Sequence, residues 1–111
     1  MTIFSGKKGS GKTIRLIKEA NKQVAQGKKV FMIVLTKDCA QIYKDHGLND
    51  EVKVVTYYEY KTKYTGNAKY ADAIIYIDEA EWFLQGLFQK HVAGMTIDKE
   101  NITEVSRADW D

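Results

Sequence analysis

The chain of 111 residues contains no proline, a single cysteine and two histidines. One cysteine, Cys39, excludes a disulfide framework within the chain and a zinc site built from its cysteines. No apolar stretch approaches the roughly 20 residues of a membrane span, and the N-terminus lacks the basic and then apolar pattern of a signal segment. We therefore expect one soluble domain over residues 1–111, with the cytoplasm as its default location and no membrane partner.

The net charge is also low, at +2, but the charged residues are unevenly distributed. Residues 1–70 hold 14 Lys/Arg against 6 Asp/Glu, whereas residues 71–111 hold 3 against 9. This asymmetry indicates either a basic face for a polyanion or a head-to-tail association of unlike surfaces. Lysines on solvated helix faces explain part of it without any partner.

Residues 6–13, with the sequence GKKGSGKT, match the phosphate-binding pattern G-x-x-x-x-G-K-[ST]. The glycines let the backbone approach phosphates closely, so that successive N–H groups point into one anion-sized concavity. Lys12 is expected to reach the β- and γ-phosphates, and the Thr13 hydroxyl to bind Mg²⁺. The predicted nucleotide-binding residues are Gly6, Lys7, Lys8, Gly9, Ser10, Gly11, Lys12 and Thr13.

The surrounding pattern predicts alternating strands and helices. A strand at 2–5 precedes the loop, and apolar residues at helical spacing follow it as far as Gly27. The remaining predicted elements are a strand at 30–35, a helix that Thr36 caps and Gly47 ends, a strand at 52–56, a short helix and loop over 57–70, a strand at 74–79, a helix over 80–92 that Gly94 breaks, and two apolar patches at 95–97 and 102–105 that could add one strand or a hairpin.

Two carboxylates close the apolar run at 74–77. Asp78 is expected to bind Mg²⁺ through a water, and Glu79 to polarise the attacking nucleophile. Acidic residues between a strand and a helix are common by themselves, because they suit a helix N-terminus. The functional interpretation is favoured here because Asp78 lies 66 positions after Lys12, with two predicted strands between.

This order of elements, with Gly6 to Thr13 and Ile74 to Glu79 as its specific motifs, resembles the phosphate-loop NTPases of the RecA-like class. The resemblance covers roughly residues 2–92. It implies an α/β fold of three layers in a minimal version, a small and mostly parallel sheet flanked by helices. Two families within the class are similar to the chain: the first motor domain of superfamily-one helicases and the thymidine kinases. A helicase would need a second lobe, and a thymidine kinase would need a cysteine-rich zinc element.

The resemblance implies a stand-alone ATPase that hydrolyses ATP with Mg²⁺ in a DNA transaction, of a size expected in bacteriophage genomes. In this interpretation Lys12 and Glu79 are catalytic. Arg107 is the candidate for an arginine finger, which a neighbouring copy in a homo-oligomer or a partner subunit would otherwise supply. A thymidine-kinase-like nucleoside kinase and a nucleotide-gated binding module with little turnover remain as alternatives.

The stretch from Tyr57 to Tyr70 combines aromatic rings with lysines, the composition of a surface for single-stranded nucleic acid. The alternative is a tyrosine-rich edge that packs on the core. If nucleic acid binds, the residues expected to contact it are Tyr58, Tyr60, Lys61, Lys63 and Tyr64.

Overall fold

The computed structural model describes residues 1–7 and 9–105 of the chain. Five strands alternate with four α-helices. The strands are β1 (Thr2–Phe4), β2 (Val30–Val34), β3 (Lys53–Thr56), β4 (Ile74–Ile77) and β5 (Thr103–Val105), and the helices are α1 (Lys12–Ala25), α2 (Ala40–Asp45), α3 (Tyr57–Glu59) and α4 (Ala80–Phe88). A π-helix, Tyr60–Tyr64, continues α3, and short 3₁₀ turns occupy Lys37–Cys39, Ala68–Tyr70 and Lys99–Asn101.

All pairing within the described strands is parallel. Three strands form a sheet in the order β3-β2-β4, and β1 pairs with β5 in a separate two-stranded sheet. In the larger sheet Phe31 lies opposite Lys53 on one side and Ile75 on the other. The carboxyl ends of its strands therefore lie at one edge, the position from which α/β proteins present their functional side chains.

The central strand β2 is buried on both faces, as its continuous apolar run predicts. Val30, Met32 and Val34 belong to a first core cluster with residues of α1 and with Tyr43 of α2. Phe31 and Ile33 point the other way, into a second core cluster with Val55 and with Phe83 of α4. Helices thus cover both faces of the three-stranded sheet, and the chain is a small α/β protein with short parallel sheets.

Several predicted boundaries need correction. The helix predicted to reach residue 92 ends at Phe88, because Gln89 takes a left-handed conformation (φ 55°) and the Lys90 N–H bonds to the Gln85 carbonyl. Gly94 is therefore not the residue that ends it. The patch at 95–97 forms no strand, whereas the patch at 102–105 contains β5. Thr36 makes no side-chain cap for the 3₁₀ turn that follows it.

No helix in residues 1–7 and 9–105 has the length and apolar character that crossing a membrane requires.

Candidate functional site

The loop at residues 6–13 folds tightly between β1 and α1. Gly9 and Gly11 have φ values of 80° and 92°, in the left-handed region that glycine adopts without strain. Gly6 is needed for a different reason, since a Cβ there would collide with the Ser10 hydroxyl and lie 3.2 Å from the Ser10 Cβ. The Ser10 N–H and the Lys12 ammonium both donate to the Lys7 carbonyl, at 3.0 and 3.1 Å, and close the loop.

The N-terminus of α1 opens onto this loop. Gly11 occupies the cap position without a side-chain hydrogen bond, and the first turn contains no acidic residue. Free N–H groups and the helix dipole favour an anion at such a position. The Ser10 hydroxyl oxygen is in addition buried and has no hydrogen-bond partner among the described residues. The loop thus has donors to spare, and a phosphate group would use them.

The structure brings the two sequence motifs into direct contact. The Thr13 hydroxyl at the start of α1 donates to Asp78 Oδ2 at the end of β4, at 2.9 Å. The same oxygen accepts a hydrogen bond from the Tyr43 hydroxyl at 3.1 Å. Both bonds fall on Oδ2, which leaves Oδ1 for a ligand.

Tyr43 is a site residue that the sequence interpretation placed only in a helix. Burial, together with the nearby charge of Asp78 and the hydrogen bond to it, raises the pKa of Tyr43 well above its ordinary value. The hydroxyl is therefore a permanent donor that orients the Asp78 carboxylate. In the sequence, Tyr43 has the spacing of an ordinary core residue of α2. Because Asp78 is 35 positions away, no local pattern links the two residues.

Glu79 lies beside Asp78 in an unusual backbone conformation. Its φ of 53° places a non-glycine residue in the left-handed region, where Cβ crowds the backbone. Sharing of a proton with the Glu81 carboxyl, partial burial and the negative charge of Asp78 raise the pKa of Glu79. A raised pKa brings a carboxylate closer to the neutral range in which a general base works best.

Lys12, Asp78 and Glu79 line one cavity of about 500 Å³ together with Glu81. The Thr13 hydroxyl and the Asp78 carboxylate are suited to bind Mg²⁺, since both are hard oxygen ligands. No group of three or more His, Cys, Asp or Glu side chains suited to a metal occurs in the described part of the chain. A magnesium ion would therefore need phosphate oxygens and waters for its remaining positions, which is the usual way that nucleotide-binding proteins hold it.

Arginine contributes little to this site in the described residues. The guanidinium carbon of Arg15 lies 5.6 Å from the centre of the Phe4 ring, and its Nε is buried without a partner. Arg107, the predicted arginine finger, lies outside the described residues, as does Lys8 of the loop.

Only part of the predicted nucleic-acid surface is available for base stacking. Tyr60 and Tyr64 pack against Phe31, with ring centroids 5.2 and 4.9 Å away, because the π-helix turns both rings toward the second core cluster. These contacts occupy part of each ring, and the prediction that Tyr60 and Tyr64 contact nucleic acid stays a prediction. Tyr58 is 73% exposed, but Lys63 lies 4.0 Å from Glu59, and Lys61 lies over the Tyr57 ring at 5.9 Å.

Comparison of the chain with protein-family models, with curated proteins and with solved structures gives no match. The functional argument therefore depends on the geometry of the site itself.

Proposed function

We propose that the chain is a phosphate-loop NTPase of the RecA-like class that binds ATP with Mg²⁺ and hydrolyses it. The observation that carries the proposal is the hydrogen bond from Thr13 to Asp78, which joins the phosphate-loop motif to the acidic motif. Two motifs that are 65 positions apart in the chain meet in the arrangement that Mg-nucleotide chemistry needs.

Each residue has a distinct role in this proposal. The loop N–H groups and the Lys12 ammonium hold the β- and γ-phosphates, and the ammonium exchanges the Lys7 carbonyl for a phosphate oxygen. Thr13 and Asp78 would hold Mg²⁺, which supplies neutralising charge to the phosphate oxygens. Glu79 orients a water for in-line attack and accepts its proton.

The second candidate is a nucleotide-gated binding module with little turnover. It is favoured by the absence of an arginine near Lys12 in residues 1–7 and 9–105, apart from Arg15 over Phe4. An arginine finger contributes about 10³- to 10⁵-fold in rate. If neither Arg107 nor a second subunit supplies one, turnover is slow although binding is intact.

A link to DNA remains part of the proposal, with single-stranded DNA as the candidate polymer. Tyr58 is the exposed aromatic that supports it, and Lys61 lies nearby in sequence. DNA-stimulated hydrolysis must be distinguished from the alternative reaction, in which a thymidine-kinase-like enzyme transfers a phosphate from ATP to a nucleoside.

The test is release of phosphate from Mg-ATP by the purified chain, alone, with single-stranded DNA and with thymidine. Glu79→Gln should lower turnover by about 100-fold or more while ATP stays bound. Lys12→Ala should abolish both binding and turnover. Lys18→Ala on the exposed side of α1 and the exposed Glu51→Gln are matched controls that should behave as the wild type.

Each outcome separates the candidates. Phosphate release that DNA stimulates and Glu79→Gln abolishes supports an ATPase in a DNA transaction. Formation of thymidine monophosphate would mean that the chain is a nucleoside kinase rather than an ATPase. Tight ATP binding without turnover would favour the binding module, and equal turnover in the wild type and in Glu79→Gln would contradict the proposed role of Glu79.

A further inference from the structure

The described strands of this protein form two separate sheets, with a cavity between them. No backbone hydrogen bond joins β1 to β4 in the described residues, since β1 pairs only with β5 and β4 only with β2. The cavity of about 500 Å³ lies between these two strands. Its walls are residues 1–4 on one side and residues 74–78 on the other, and α1 contributes Leu16, Glu19 and Gln23. We call this cavity the slot.

The two walls of the slot run in the same direction. The loop after β1 leads to Thr13, and Asp78 follows β4, and these two residues are hydrogen-bonded to each other. The carboxyl ends of both strands therefore lie at the same end of the slot. A strand inserted between them could pair with both in the parallel manner of the rest of the sheet.

Unpaired backbone groups face the slot from both sides. The Ile74 N–H donates to the Lys29 carbonyl beside β2, so the N–H groups of Ile75 and Ile77 point away from β2 by the alternation of a strand. In the same way the Ser5 N–H donates to Val105 in β5, so Phe4 presents its N–H to the slot. Such rows of unpaired donors and acceptors are a template for an added strand.

The side chains and charges of the slot indicate what kind of strand fits. Ile75 and Ile77 of β4 are 43% and 40% exposed, and β4 has a paired neighbour only on its β2 side in the described residues. Among the described residues, the charged side chains that line the slot are four carboxylates, Glu19, Asp78, Glu79 and Glu81, and one ammonium, that of Lys12. A complementary strand is apolar at its centre, with basic residues on the flanks that meet these carboxylates.

We propose that the slot receives an extended, parallel β-strand from a partner polypeptide, with an apolar centre and basic flanks, and that this strand joins the two sheets into one. About five residues would span the slot, the usual length of a strand. The added strand would end beside Asp78 and Glu79, so its binding would be coupled to the nucleotide site. The strand-addition proposal itself does not depend on nucleotide binding.

The test is amide hydrogen exchange by NMR on the nucleotide-free chain, so that failure of the proposed ATPase function would not affect it. The probe is a synthetic peptide of alternating valine and isoleucine, with lysines at both ends. In the chain alone the Ile75 and Ile77 amides should exchange rapidly and the Ile74 and Tyr76 amides slowly. The peptide should slow Ile75 and Ile77 by about tenfold when about nine-tenths of the chains are occupied.

A backbone-modified peptide provides the matched control. N-methylation of alternate amides keeps the side chains and charges of the probe but removes the donors on one edge, so it should give no protection. Ile75→Pro in the protein removes a slot-facing N–H without removing a hydrogen bond to β2, and should weaken binding of the unmodified peptide. Proline can also disturb β4 itself. The N-methylated peptide is tested on the wild-type protein, so the test does not depend on this variant.

Four results would overturn the proposal. Slow exchange of Ile75 and Ile77 in the chain alone at any concentration would mean that β1 and β4 close on each other. Protection that rises with protein concentration would make a second copy the occupant. Equal protection by the N-methylated peptide would mean that binding does not use strand pairing, and no protection by the unmodified peptide would mean that the slot does not accept a strand.

Discussion

At the scale of single residues, the phosphate loop depends on one close approach that only glycine permits. Gly6 and Ser10 are four positions apart in sequence but in contact across the loop. The phosphate-loop pattern requires a glycine at position 6. The physical reason, the position of the Ser10 side chain, is visible only in the folded loop.

Gly6→Ala should weaken Mg-ATP binding by about tenfold or more, because the new methyl group displaces Ser10 and opens the loop. Adding Ser10→Gly removes the atoms with which that methyl group collides, so the double variant should recover part of the lost affinity. Isothermal titration of Mg-ATP into both variants measures this. A double variant no better than Gly6→Ala would show that the contact with Ser10 is not the reason for the glycine.

Tyr43 is the second residue whose role depends on the folded structure. Tyr43→Phe keeps the ring in the first core cluster but removes the donor to Asp78. We expect a loss of about 1.5–3 kcal/mol in the free energy of unfolding, the range for a hydrogen bond to a charged group. Urea unfolding measures it, with the exposed Tyr58→Phe as the control. Equal midpoints for Tyr43→Phe and the wild type would contradict the role given to the hydroxyl.

At the scale of elements, α3 and the π-helix are held by a capping box that strengthens with pH. The Glu59 N–H donates to the Thr56 hydroxyl at 3.1 Å, and the Thr56 N–H donates to the Glu59 carboxylate at 3.4 Å. Reduced hydration alone would raise the pKa of Glu59, but the hydrogen bond from Thr56 and the charges of Lys37 and Lys63 outweigh it and lower the pKa. The ionised carboxylate is therefore the form that stabilises this segment.

Because the pKa of Glu59 is lower in the folded chain than in the unfolded one, its contribution is present above the unfolded value of about 4 and is lost as the pH falls through the folded value. Glu59→Gln should therefore be less stable than the wild type at neutral pH, and the difference should shrink on acidification. Thermal unfolding of both proteins across this pH range measures it. A difference that grows as the pH falls would contradict the direction of the pKa shift.

Helices and strands were predictable from the sequence where their pattern is local. The apolar run at 30–35 predicted a buried strand, which the structure has as β2 ending at Val34, and the phosphate-loop pattern predicted the start of α1. The π-helix was missed because its defining bond, from the Thr65 N–H to the Tyr60 carbonyl, leaves no recognised signal in the sequence. The early end of α4 was missed because a glutamine, rather than Gly94, takes the left-handed conformation.

At the scale of the whole molecule, the sequence predicted an α/β protein with parallel strands but not how its sheet is divided. The sequence predicted that Thr13 and Asp78 serve one magnesium site, and the hydrogen bond between them became visible only in the structure. The separation of β1 from β4 depends on which strands meet in space, which hydrophobic periodicity does not encode. Lys8 and the predicted finger Arg107 lie outside the described residues, so their roles stay predictions.

The central claim is that residues 6–13 and Asp78 form one Mg-nucleotide site. The most direct measurement is titration of ATP into the chain with Mg²⁺ and with EDTA, in the wild type, Lys12→Ala and Asp78→Asn, with Lys18→Ala as the control. We predict Mg-dependent binding in the wild type and the control, no binding in Lys12→Ala, and loss of the magnesium dependence in Asp78→Asn. Absence of ATP binding in a folded wild-type chain, or equal binding in Lys12→Ala, would contradict the account.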